Sequence, residues 1–214
     1  MDSAQKPQKR NGAWHFYFLH LVIPLVAACL ILLTIYLLSI DERITSLFFD
    51  PITKQFPLRN QWFLEVVMHY WIKYAVIVLA VMVPAAYALS FRIASLAPLR
   101  RVLIFLVLAM GLSTAAVSFL KSVNPKQCPY DLKMYGGYAP YIAMFEKTPQ
   151  GVKPGKCWPG GHSSTGFCLM AFYFAGRHLR NRRLAYWGLF GGFGLGFILG
   201  FGRVIQGAHF LSHQ

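Results

Sequence analysis

The sequence predicts an all-α, polytopic transmembrane helix bundle, and three observations carry that prediction. Of the 214 residues, 56% are apolar and only 13% are charged, a balance in which most of the chain meets lipid. The apolar residues gather into five long runs, most of them close to the roughly 20 residues that a helix needs to cross a bilayer. Lys and Arg then cluster at alternate ends of those runs, the pattern that orients membrane helices.

The runs predict spans at 16–40, 70–91, 102–120, 163–176 (reaching to 179) and 184–205. The first run, from Phe16 to Ile40, is too long for a cleavable signal peptide and lacks a small-residue cleavage site, so it reads as a permanent span and signal anchor. Lys6, Lys9 and Arg10 precede the first span. Arg92, Arg100 and Arg101 follow the second, and Arg177, Arg180, Arg182 and Arg183 follow the fourth. These segments hold ten Lys/Arg against one acid, Asp2, which assigns them and the N-terminus to the cytoplasm. The connections 41–69 and 121–162 then face outward.

The 41–69 connection carries Asp41, Glu42, Asp50 and Glu65, with turn signals at Asp50-Pro51 and Pro57. Phe48, Phe49, Trp62, Phe63, Tyr70 and Trp71 suit an interfacial aromatic belt, and the stretch is expected to lie on the bilayer rather than to gate a substrate. The 121–162 connection carries Lys121, Lys126, Lys133, Lys147, Lys153 and Lys156 against Asp131 and Glu146. It reads both as a solvated loop touching anionic headgroups and as an electrostatic funnel for an anion. Gly188, Gly192, Gly196 and Gly200 share one face of the last run, which predicts close helix packing within the bundle rather than dimerisation. With no heptads, fixed-period repeat or composition break, residues 1–214 form a single membrane-embedded domain.

The net charge of +14 would point to nucleic acid in a soluble chain. Here the cations are orientation signals and headgroup contacts, and no nucleic-acid motif is present, so DNA and RNA are excluded as partners. Cys29 and Cys168 lie inside spans as small packing residues. Cys128 and Cys157 share the outward loop, where they stand either as a disulfide or as two free thiols. A disulfide would tie the Lys121 fragment to the His162 fragment and stabilise by about 3 kcal/mol in the chain-entropy model. The spacing is not that of a zinc site.

Three polar fragments border apolar runs on the outward side: Lys121 to Pro129, Pro159-Gly160-Gly161-His162-Ser163-Ser164, and Gly202-Arg203 through His209 to His213. Gly160 and Gly161 let backbone approach a ligand closely, and the following helix start offers N–H groups to an oxyanion. Ser163 and Ser164 are candidate caps. His162 can move a proton near neutral pH. Arg203 can pair a phosphate through two parallel hydrogen bonds. Lys121 would by itself be a snorkelling lysine; it gains meaning from sharing a side with the other fragments.

These fragments resemble the three signature motifs of the type 2 phosphatidic acid phosphatase superfamily, which includes vanadium haloperoxidases. The first motif, Lys, six residues, Arg, Pro, reads here as Lys121, six residues, Cys128, Pro129. The second, Pro-Ser-Gly-His, reads as Pro159-Gly160-Gly161-His162. The third, Ser-Arg, five residues, His, three residues, Asp, reads as Gly202-Arg203, five residues, His209, three residues, His213. The variant motifs are similar to a bacterial branch that includes lipid A phosphatases.

The resemblance implies a six-helix bundle, so a sixth span is expected beyond Gln214 and the chain is expected to be a truncated form of a longer one. It implies a metal-independent phosphatase, with no cofactor, acting on a lipid phosphate or diphosphate at the outer (periplasmic) face of a bacterial inner membrane. His209 would be the nucleophile that forms a phosphohistidine, and His162 the general acid. Lys121, Arg203 and the Gly160–Gly161 backbone would hold the phosphate oxygens. Cys128 stands where the family has a phosphate-binding arginine, with Lys126 as a substitute. His213 stands where an aspartate orients the nucleophile, with Asp131 or Glu146 as substitutes. The same site could pass the phosphoryl group to another lipid.

Two other readings compete. A non-enzymatic protein that binds or carries anionic lipid needs the basic loop and the glycine stripe but no histidines. A Zn²⁺ site could use His209 and His213, four apart on one helix face, although no glutamate lies between them.

Overall fold

The computed structural model describes residues 10–142, 146 and 149–214. Asp2, Lys6, Lys9 and Lys147 lie outside the described residues. The described chain is an all-α polytopic bundle with isolated bridges but no strand. Four helices are long and apolar enough to cross a membrane: α1 (Gly12–Leu37), α3 (Phe63–Leu89), α4 (Ala94–Val123) and α7 (Arg182–Ile205). A short helix α2 (Ile40–Ser46) follows α1. Helices α5 (Gly161–Phe167) and α6 (Ala171–His178) are joined by a 3₁₀ turn at Cys168–Met170. The chain divides into two compact units, Met1–Asp41 and Glu42–Gln214.

The described part of the first unit consists mainly of the α1 helix. Leu21, Leu25, Leu30, Ile31, Leu33 and Leu37 are all exposed along it, the all-round apolar surface of a helix made for lipid. A π-helical turn at Phe18–Val22 stands just before Pro24, whose ring has no N–H to give the carbonyl four residues back. The helix ends at Leu37, and Ser39 takes a left-handed conformation at φ 49°.

In the second unit, α3, α4 and α6 share a core of Val76, Val83, Val102, Leu106, Met110, Ala171 and Ala175. Helix α7 packs on α5 and α6 through the glycine stripe. A Cβ on Gly188 would lie 2.3 Å from the Tyr173 nitrogen, and one on Gly166 would lie 2.2 Å from the Gly196 nitrogen. The stripe thus serves packing inside the unit, where two backbones meet with no room for a side chain between them.

Three boundaries differ from the sequence expectation. Helix α3 begins at Phe63 rather than near residue 70, because the Gln61 side chain accepts the Leu64 N–H at 2.9 Å and starts the helix early. Glu65 is thereby carried on a helix rather than a loop. Helix α4 begins at Ala94, and Arg100, expected in a loop, closes the tight α3–α4 turn by donating from Nε to the Ser90 carbonyl at 3.1 Å. The fourth expected span is the broken α5–α6 segment and is not among the long apolar helices. Its first turn holds His162 and then Ser163, Ser164 and Thr165; the three hydroxyls donate back to the carbonyls of Gly160 and Gly161.

The 41–69 connection also departs from expectation. Phe56 is buried with Leu132, Tyr135, Ala139 and Phe210, and Phe48 and Phe49 pack against that cluster. The Tyr135 hydroxyl lies 3.2 Å from the Ser46 hydroxyl and donates to the Glu42 carbonyl. This part of the connection caps the 121–162 loop. Trp62 and Trp71, at 63% and 65% exposed, keep the character of an interfacial belt.

Candidate active site

The end of α7 sets the first part of the geometry. After Ile205, Gln206 closes the helix and Gly207 takes φ 67°. The Ala208 N–H bonds the Arg203 carbonyl and the Gly207 N–H bonds the Val204 carbonyl, both at 2.9 Å. This is a Schellman motif, which needs a left-handed residue at the position Gly207 holds. The His209 N–H also points at the Arg203 carbonyl, at 3.3 Å. One glycine-dependent turn therefore fixes His209 relative to Arg203.

A backbone bond ties the second fragment to the third: the Gly160 N–H donates to the His213 carbonyl. This corrects one expectation, since the Gly160 amide is already engaged and is not available to a phosphate oxygen. Gly161 remains at the first turn of α5. The serines do not cap this helix. Gly160 is the N-cap residue, and Ser163 and Ser164 donate to carbonyls instead.

His209 is 4% exposed. Burial pushes its pKa down to about 2, assisted by the charges of His213, Lys121, Arg203 and His162. Those four neighbours are drawn from all three sequence fragments, so Lys121 at the end of α4, His162 at the start of α5, and Arg203 and His209 at the end of α7 share one electrostatic neighbourhood. Burial likewise pushes His213 down to about 3, followed by the charges of Lys126 and Lys121. Both imidazoles are neutral near pH 7, the form that carries a lone pair.

The supporting residues divide. Lys126 donates from Nζ to the Glu146 carbonyl at 2.9 Å, and its charge reaches His213. Asp131 does not stand at His209: its carboxyl is held above the usual range by burial and faces Arg59, which opposes that shift. His213 does not orient His209 through a hydrogen bond either. The two rings meet edge to face at 5.9 Å, and His213 Nδ1 is buried with no hydrogen-bond partner. The atom at His209 Nδ1 is Cys157 Sγ, at 3.3 Å.

Cys157 is fully buried and joined to Cys128 in a disulfide, with Cα atoms 5.2 Å apart. Its sulfur also lies 3.1 Å from the Ala208 carbonyl oxygen. Cys157, His209 and His213 present three ligand-type atoms within 4.8 Å of one another, but in the disulfide form the sulfur carries no negative charge to hold a cation.

A network that the motifs did not announce anchors Arg203. Its Nη1 lies 3.3 Å from Glu65 Oε2 and donates to Gln206 Oε1 at 2.8 Å. Gln206, 1% exposed, donates from Nε2 to the Arg59 carbonyl at 3.0 Å and to Glu65 Oε2 at 3.2 Å. Arg59 in turn stacks over the Tyr130 ring at 4.1 Å. One available signal for Glu65 was its position as a lone acid at the head of an apolar run, where an ionisable side chain needs a partner.

A buried neutral imidazole among an ammonium, a guanidinium and a second imidazole is suited to nucleophilic attack on a phosphorus whose oxygens the cations hold. The family model that matches the chain is described as PAP2 superfamily and covers residues 102–214. No curated protein and no solved structure matches the chain.

Proposed function

The chain belongs to the PAP2 superfamily, and from that premise we propose that it removes phosphate from a lipid phosphate or diphosphate, without a metal, through a phosphohistidine. The family supports a phosphatase acting on phosphate esters, and the four long apolar helices make the chain a membrane protein. The observation that carries the finer reading is the buried His209, neutral and surrounded by Lys121, Arg203 and His162.

In the proposed cycle Lys121 and Arg203 hold the phosphate oxygens, with Gly161 at the helix start beside them. Nδ1 of His209 keeps its proton toward Cys157 Sγ, leaving the Nε2 lone pair to attack in line. The N–P bond forms as the P–O bond to the lipid breaks, and His162 gives its proton to the leaving oxygen. Water then attacks the phosphohistidine, His162 takes its proton, and the N–P bond breaks to release phosphate. Side-chain cations supply the charge stabilisation, which is why no metal is invoked.

The proposed setting is the outer face of a bacterial inner membrane. The alternating Lys/Arg clusters support it by directing the N-terminus inward and the 121–162 loop outward. The proposed substrates, among them lipid A, undecaprenyl diphosphate, phosphatidylglycerol phosphate and phosphatidic acid, all carry phosphate at headgroup depth.

The test is phosphate release from that lipid panel by purified full-length protein. At least one lipid should turn over, with EDTA harmless and vanadate inhibitory. His209→Ala and His162→Ala should each lower kcat by 10²-fold or more. Full activity in both variants, or lipid binding without turnover by the wild type, would refute the reading.

A further inference from the structure

We infer that reduction of the Cys128–Cys157 disulfide opens a Zn²⁺ site formed by Cys157, His209 and His213. The inference stands on side-chain placement and does not require His209 to be a nucleophile.

The three ligand atoms lie within 4.8 Å of one another, and the residues are 0%, 4% and 7% exposed. Tetrahedral zinc at about 2.3 Å from sulfur and about 2.0 Å from nitrogen spaces its ligands by roughly 3.5 Å, so a small inward shift completes the set. Two further observations point to a ligand. His213 Nδ1 is buried with no hydrogen-bond partner, an uncommon state for an imidazole nitrogen. And Cys157 is held at His209 by more than its disulfide: its N–H donates to the Lys126 carbonyl at 3.0 Å, and the Gly155 N–H donates to the Pro125 carbonyl at 3.0 Å. These bonds keep the sulfur in place when the bond to Cys128 is cut.

Charge makes the site conditional. Lys121 acts on both histidines, Arg203 on His209 and Lys126 on His213, and a dication entering among three cations is repelled. Glu65 pairs with Arg203, but in the disulfide form none of the three ligand atoms carries a negative charge. Reduction supplies the missing anion: two electrons and two protons from a dithiol convert the S–S bond to two thiols, and the dithiol becomes a disulfide. As Zn²⁺ binds, the Cys157 thiol releases its proton to water and coordinates as thiolate. A thiolate with two neutral imidazoles selects Zn²⁺ over Mg²⁺ or Ca²⁺, leaving the fourth position to water. His209 would then be bound to metal.

Co²⁺ provides a spectroscopic probe, because a tetrahedral thiolate–cobalt site absorbs by sulfur-to-metal charge transfer. Purified full-length protein in detergent is titrated with Co²⁺, then with Zn²⁺ in competition. The oxidised wild type should show no charge-transfer band, and the phosphine-reduced wild type should bind one Co²⁺ per chain. Cys128→Ser should bind without reductant. The double variant Cys128→Ser/Cys157→Ser, which equally lacks the disulfide, should not bind, so a general loss of stability cannot explain the difference. His213→Gln in the Cys128→Ser background should weaken binding at least tenfold. Absence of the band from both the reduced wild type and Cys128→Ser, its survival in the double variant, or undiminished affinity in the His213→Gln variant would overturn the inference.

Discussion

The guanidinium of Arg203 lies 3.3 Å from the carboxylate of Glu65, a residue 138 positions earlier in the chain. The pair crosses from the end of α7 to the start of α3, and Gln206 bonds both partners. Arg203 is thus aimed by Glu65, which lies outside the three motifs, and by Gln206, a spacer residue of the third. Glu65→Gln should leave the guanidinium charged but less well positioned, raising KM for the lipid phosphate about tenfold with a smaller change in kcat. Steady-state rates decide it; an unchanged kcat/KM would remove Glu65 from this role.

Gly207 carries the turn that sets His209 against Arg203. An alanine there must hold φ 67°, and its Cβ would sit 2.4 Å from Phe56 Cδ2. Gly207→Ala should lower stability by about 1–3 kcal/mol and reduce phosphate release at temperatures where the protein remains folded. Thermal unfolding in detergent, followed by rate measurements, reads both. Wild-type behaviour in both would show that the turn tolerates a side chain.

The helix contact between α5 and α7 predicts a second sterically driven loss. A Cβ on Gly166 meets the Gly196 backbone nitrogen at 2.2 Å, and backbone cannot swing aside as a side-chain tip can. Gly166→Ala should cost about 1–3 kcal/mol, whereas Gly194→Ala, with nothing within 4 Å of its Cβ, should be close to neutral. Equal unfolding temperatures for the two variants would contradict this packing.

Both site histidines are held neutral by burial, which gives stability a direction in pH. In the unfolded chain an imidazole takes up a proton as pH falls through about 6.5, while His213 resists until about 3 and His209 until about 2. Their contribution is therefore complete above pH 6.5 and declines below it, toward a slope of two protons, about 2.7 kcal/mol per pH unit, between pH 5 and 4, which falls off as His213 itself protonates near 3. His213→Gln should remove about half of that slope. Unfolding midpoints across pH 3–8 measure it, and an identical slope in the variant would show that His213 titrates normally.

Much of this molecule was legible in its residues because lipid imposes a simple rule. A helix that must satisfy its own backbone in hydrocarbon shows as a long apolar run, so α1, α3, α4 and α7 were visible to within several residues. The α5–α6 segment was less so, because hydroxyl-to-carbonyl bonds and a 3₁₀ turn break a run that composition alone shows as one helix. The early start of α3 depended on the Gln61 cap, and with it went the role of Glu65.

Within the candidate site, the chain order and spacing of Lys121, His162, Arg203 and His209 could be read directly, and so could Cys128 and Cys157 of the 121–162 connection as a candidate pair. Their chemical partners could not. Arg59 is the charge that acts on Asp131, and His209 Nδ1 faces Cys157, because which side chains meet across a bundle depends on how helices rotate and where loops fold back. Hydropathy and motif spacing are local properties, and they specify a membrane-embedded helical chain and the types of residue available for phosphate chemistry. Which atoms touch the histidines, how deeply they are buried and what anchors Arg203 follow instead from contacts between segments far apart in the chain, which no local pattern encodes.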